Sequence, residues 1–193
     1  WSGRIGKTFN YRAEAGRVLR YYNKPFLEND NKEWNGAFTG TVRVGAPWSF
    51  AGKYQYSKAK ARACDTVLET FDVSDDGDGS YERDLYQATV GYRPGFLWKV
   101  RLLEVMGQHQ VYWYTSDRPY FEDNTHTGRQ DKVSAVEVTA YTRPIYGPVT
   151  AELGWRHTRR SSSSAATTIG ADDIEEDKKY QNHRVWLGLA YPF

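Results

Sequence analysis

The 193-residue chain has one cysteine, Cys64, and one methionine, Met106. A single cysteine excludes an intrachain disulfide framework and a cysteine-based zinc site, and Cys64 reads as a lone side chain in or beside a connection. No stretch approaches the 18 or so consecutive apolar residues of a membrane helix, and no signal-peptide pattern opens the sequence. Charge is balanced: 26 Lys and Arg against 24 Asp and Glu leave a formal net charge of +2, with no basic cluster long enough to announce a nucleic-acid partner. Helix-period segments of useful length are missing as well.

Those absences do not exclude a membrane. A spanning β-strand needs only about 9–11 residues and turns half of them inward, so averaging hides it, and the mean hydropathy of −0.76 is uninformative on the point. What the chain does have is aromatic side chains, 15 Tyr and 7 Trp among them. Residues with an apolar body and a polar tip suit a water–lipid boundary or a broad sheet surface.

Period-2 alternation recurs throughout. In WNGAFTGTVRVGA, Trp34, Gly36, Phe38, Gly40, Val42, Val44 and Ala46 share one face, while Asn35, Ala37, Thr39, Thr41 and Arg43 share the other. Eight strands are predicted, at 3–21, 33–46, 49–62, 82–93, 97–115, 131–143, 149–160 and 179–193. In the fifth, Trp98, Val100 and Leu102 agree in phase but would carry Glu104 onto the apolar face, which predicts a β-bulge near 102–104. Connections alternate in length. GAPW (45–48), RPGF (93–96) and RPIYGP (143–148) are compact turns, and long polar stretches lie between them. All seven prolines fall in connections or at the end of the final strand, and both termini are expected on the short-turn side.

The polar face carries Arg12, Glu14, Arg43, Lys53, Arg101, Glu137, Glu152, Arg156 and Arg184. Both signs occur together, which suits an enclosed network of paired charges better than a random solvated surface. A soluble barrel would bury its apolar face; the loop asymmetry and the chain's end favour the reverse arrangement. The last eight residues, WLGLAYPF, resemble the C-terminal recognition signal of bacterial outer-membrane β-barrels. Gly188, Tyr191 and Phe193 match the family's glycine five residues before the end, hydrophobic residue two before it and terminal aromatic, whereas Trp186 and Pro192 depart from it.

As organisation, the whole chain is similar to small eight-stranded barrels of the OmpA transmembrane-domain and OmpX type. The resemblance implies an all-β, antiparallel up-and-down transmembrane barrel in one domain, 1–193, located in the bacterial outer membrane. Short turns would be periplasmic and long loops extracellular. Implied partners are outer-membrane lipid and lipopolysaccharide, the barrel-assembly machinery during insertion, and a surface protein met by the loops. Because Trp1 has no leader before it, the chain also fits the C-terminal part of a larger barrel, in which case a sealed lumen would not follow.

The leading functional expectation is a non-enzymatic surface protein whose loops mediate adhesion, envelope stabilisation or partner contact, with the inward charges filling the lumen. The alternative is a narrow, anion-preferring pore, suggested by the surplus of positive groups. A lipid A-modifying enzyme comes third, with His157 and the Ser161–Ser164 run as its only support; that family's serine position, two after the histidine, is Arg159 here. His109, His126 and His183 have no catalytic or metal-binding company. No cofactor is expected. The acidic stretches suggest weak divalent-ion candidates at Asp72, Asp76 and Asp78, but position twelve of the EF-hand template is Arg83 rather than Glu.

Overall fold

The computed structural model describes residues 1–21, 30–61, 78–95, 97, 99–117, 119, 123, 126–163 and 179–191. Within them the chain forms nine strands and no helix: β1 (Ser2–Ile5), β2 (Phe9–Arg20), β3 (Asn31–Val44), β4 (Trp48–Ala61), β5 (Tyr81–Tyr92), β6 (Val100–Tyr114), β7 (Gln130–Thr142), β8 (Thr150–Ser163) and β9 (Tyr180–Ala190). They make one antiparallel sheet in chain order, β1 to β9, each strand paired with the one before it. Among the described residues β1 and β9 are its edges.

Nine strands, not eight, is a correction, and the reason is Gly6. The first predicted strand breaks at residues 6–8, where Gly6 has φ +63°, and the chain reverses so that Ile5 faces Phe9. Trp1 thus lies partway up the sheet, exchanging backbone hydrogen bonds with Ala13, not on the short-turn side. The same three-residue turn recurs at 45–47, with Gly45 at φ +63° and Val44 facing Trp48. Ile5-Gly-Lys-Thr-Phe9 and Val44-Gly-Ala-Pro-Trp48 are one pattern, and only the second carries a proline to advertise it. The φ > 0 position suits glycine because it lacks the Cβ that clashes there.

The irregularity in the long β6 strand is present. Val100 faces Thr142 and Leu102 faces Tyr141, so Arg101 is the extra residue. Its insertion shifts the phase and places Glu104 on the polar face, opposite Gly91 and Thr139. Trp98, which suggested the conflict, lies outside the described residues.

The sheet is inside-out by the standards of a water-soluble domain. On the apolar face, Phe9, Val42, Phe50, Val90, Val105, Val138, Trp155 and Val185 form one continuous cross-strand row. Val44, Trp48, Tyr92, Leu103, Ala140, Leu153 and Leu187 form the next. Much of this face is exposed: Val185, Leu187 and Leu189 retain about 70% of their accessible surface. Buried apolar side chains among the described residues are few and mostly small, namely Ala59, Ala61, Val111 and Ala135. Most of the buried side chains among the described residues are polar, with Glu33 and Asp131 each only 1% exposed. The polar face is also the concave one: Arg20 of β2 reaches Tyr81 of β5 across two intervening strands, about 14 Å in a flat sheet.

Trp186 explains its own departure from the terminal pattern. It sits on the polar face over Gly154, where any Cβ would collide with the indole ring, and its Nε1–H donates to Glu152 at 2.7 Å. Glycine below and carboxylate beside it hold the ring flat. Gly154→Val should displace the indole, break that hydrogen bond and cost about 1–3 kcal/mol. Urea unfolding in detergent, compared with the conservative Gly154→Ala, measures it.

Candidate functional site

Alternation decides which side chains reach the concave face, and the register decides which of them meet. Of the predicted polar-face charges, Arg12 pairs with Glu14 at 2.6 Å and Arg156 with Glu137 at 3.4 Å. Glu152 accepts from Trp186, and Arg184 lies 5.8 Å above the same ring. Arg184 also faces Arg156 directly across β8 and β9, two like charges in register. The side chains of Arg43, Lys53 and Arg101 have no ion-pair partner among the described residues; Arg101 shares a cavity of about 210 Å³ with Tyr141, Glu152 and Gly188. Basic groups on this face therefore exceed what the acids can neutralise.

The strongest polar cluster lies nearer the long-connection end, on residues that alternation alone did not single out. Glu33, at the start of β3, receives the guanidinium groups of both Arg20 and Arg83, the latter at 3.2 Å, and the Tyr81 hydroxyl at 2.9 Å. Arg83 donates further to Ser57 at 2.9 Å. Asp131, at the start of β7, repeats the arrangement. Arg129 donates to it through Nε at 3.0 Å and Nη2 at 2.6 Å, and Arg160, Ser162 and Tyr114 close around it. Tyr112 links the halves, accepting from Arg83 at 3.4 Å and facing Asp131 in register. Aromatic rings back the charges: Arg129 stacks 4.3 Å over Tyr114, and Arg83 lies 5.6 Å from the Tyr112 ring.

One signal would have found this cluster. Both acids lie at the start of a strand after a long connection, and arginines occupy the last inward position of β2 and the last but one of β8, so strand ends on one side of the sheet bring opposite charges together. A predicted start at 33 or 131 leaves those acids at a boundary, where they read as loop residues.

Beyond the strand ends, Asp123 fastens two connections. Its carboxylate accepts from the backbone N–H of Asp78 at 2.7 Å, from the Ser116 hydroxyl at 2.8 Å, and from the backbone of His126 at 3.2 Å, with the His126 ring at 2.9 Å. Asp78, in turn, accepts from the backbone N–H and hydroxyl of Ser80. Among the ion candidates Asp72 and Asp76 lie outside the described residues, and within the described residues no group of three or more potential metal ligands converges. On the apolar face His157 packs against His183, ring centroids 4.4 Å apart, beside Trp155; Ser161–Ser163 continue β8, and Ser164 is outside the described residues. His109 and Ser134 also meet there, at 2.9 Å. Gly188 faces Glu152 on β8, and Tyr191 follows β9 with its side chain exposed; Phe193 lies outside the described residues.

Comparison with protein-family models, with characterised proteins and with solved structures gives no match. The functional reading therefore rests on the geometry of the sheet.

Two outcomes follow from the clusters. Glu33→Gln leaves Arg20 and Arg83 facing each other without a counter-charge and should cost about 3–5 kcal/mol in denaturant unfolding, against a smaller loss for Arg20→Gln. Burial raises the Asp123 carboxyl, but the Asp78 amide, Ser116 and His126 outweigh it and hold the group below its usual 3.8. A carboxyl lowered in the folded state contributes stability above the unfolded value, and that contribution disappears as pH falls through the folded one. Hydrogen exchange at the Asp78 amide should accelerate below about pH 3.8 in the wild type and show no such acid step in Asp123→Asn.

Proposed function

We propose that the chain forms the wall of a bacterial outer-membrane β-barrel whose polar face lines a basic, anion-preferring aqueous passage. The observation that carries this reading is the reversed burial: apolar rows across eight strands lie exposed while carboxylates and guanidinium groups are buried. An exposed apolar face of this extent exceeds anything a soluble monomer tolerates. Hydrocarbon covers it without new protein contacts. Four consecutive outward rows, from Leu187 to the level of Tyr54 and Tyr86, span about 20 Å along a strand, about 15 Å of height at the tilt of such barrels and the greater part of an outer-membrane apolar band. Strictly alternating short and long connections fit the same family of structures.

In lipid the free edges of β1 and β9 require partners, because unpaired backbone groups there cost several kcal/mol each. The barrel is closed by joining these edges to each other or through further strands. Either way it holds nine strands or more, beyond the eight whose side chains just fill the interior. Water then enters the lumen, consistent with the Arg12 side chain remaining 67% exposed on the polar face. The excess of arginine and lysine lining it favours anions. The loop-mediated surface role anticipated from the sequence draws no support from the sheet itself, since most of three of the four long connections lies outside the described residues.

Planar-bilayer recordings of the refolded chain in a KCl gradient should give a reversal potential of anion-selective sign. Lys53→Glu together with Arg184→Glu, neither of which strands an acid partner, should move it toward cations. A silent bilayer, or a selectivity that those changes leave untouched, contradicts the passage.

A further inference from the structure

Glu33 holds two guanidinium groups, and Asp131 holds two more. Each carboxylate carries one negative charge, so each cluster retains a net positive charge. Beside the first is a cavity of about 240 Å³, lined by Arg20, Asn31, Tyr81, Arg83, Tyr112 and Tyr114, with no carboxylate in its wall among the described residues. The Nε–H of Arg83 is buried and has no hydrogen-bond partner among the described residues, and the Nε–H of Arg160 in the second cluster is in the same condition. Buried donors are nearly always paired, so two unpaired donors at equivalent places mark both clusters as short of acceptors. An Arg83 guanidinium that gives Nη2 to Glu33 and Ser57 and one Nη1–H to Tyr112 keeps a second Nη1–H, and planar N–H donors match the geometry of an oxyanion.

We infer that this cavity is an oxyanion site that takes the carboxylate or phosphate group of a small solute. Arg83 and Arg20 supply the charge, and the tyrosine rings with Asn31 form the walls. Glu33 sits behind the arginines, holding both guanidinium groups in place while cancelling only one of their charges. That balance makes a site that binds and releases: complete neutralisation would remove the attraction, and two unopposed arginines would not stay together. The inference rests on the passage reading for its role, as a station at the long-connection end where anions shed their water. Binding itself does not require conduction.

The test uses the full chain folded in uncharged detergent micelles. Inorganic phosphate is titrated while its ³¹P line width is followed, and ¹³C-formate serves as the carboxylate arm, so that the preferred oxyanion is read directly. Saturable broadening is expected from at least one of them. Arg83→Gln should weaken it about tenfold or more, the loss of a charge-assisted hydrogen bond, and Arg83→Lys should fall between. Should Arg83→Gln fail to fold, Tyr112→Glu leaves the Glu33 contacts in place, puts a carboxylate into the cavity wall and should abolish binding. Non-saturable broadening with both anions, or equal affinity in the wild type and the folded variant, overturns the site. A silent bilayer with intact binding in micelles would overturn the passage alone, whereas conduction without saturable binding would overturn the site alone.

Discussion

A backbone amide in hydrocarbon has no partner except another strand, and that constraint organises everything proposed for this protein. It makes the alternation of every strand a division between two solvents, so that one face is built from Val, Leu, Trp and Tyr while the other carries charge. The exposed rows and the buried carboxylates are the same fact seen from opposite sides of the sheet. In water the arrangement would be unstable, because the apolar rows would remain wetted while Glu33 and Asp131 had given up their hydration. In the proposed setting hydrocarbon removes the first penalty, and the arginines around Glu33 and Asp131 offset the second.

Burying charge on the polar face then demands close matching, and the chain meets it with arginine. Four guanidinium groups around two carboxylates, each backed by tyrosine, tie β2 through β8 together at the end where the long connections begin. The opposite strand ends are held by the shorter connections 6–8, 45–47, 93–99 and 143–149. Fixing the long-connection ends by ion pairs leaves the middle of the face comparatively open, where Lys53 and Arg184 have no acid partner among the described residues. Charges thus differ along the strand axis, densely paired near the long connections and, lower down, a mixture of the pairs Arg12–Glu14 and Arg156–Glu137 with Lys53 and Arg184.

Much of the fold was legible because period 2 is an unforgiving signal: a slip of one residue would turn Phe38 inward and Thr39 outward. Strand positions from β3 to β9 follow directly, and the clash of phase at Glu104 announced a bulge that the structure places at Arg101. The hairpin at Gly6 was not legible, since residues 6–8 include no proline to mark the turn that Pro47 marks at 45–47. The candidate site was half legible. Arg156 with Glu137 could be paired by phase, but Glu33 and Asp131 could not, because their importance comes from arginines contributed by strands up to two positions away. Cross-strand distance is set by curvature, which a single sequence does not display.

The most direct test of the central claim is site-directed spin labelling along β8 and β9 in reconstituted bilayers, with Cys64 replaced by serine and accessibility to oxygen and to a water-soluble nickel chelate measured residue by residue. Leu153, Trp155, Val185, Leu187 and Leu189 should favour oxygen, and Arg156, Thr158, Arg184 and Gly188 the chelate, in strict alternation. A reversed pattern, or chelate access at every position, would contradict the account.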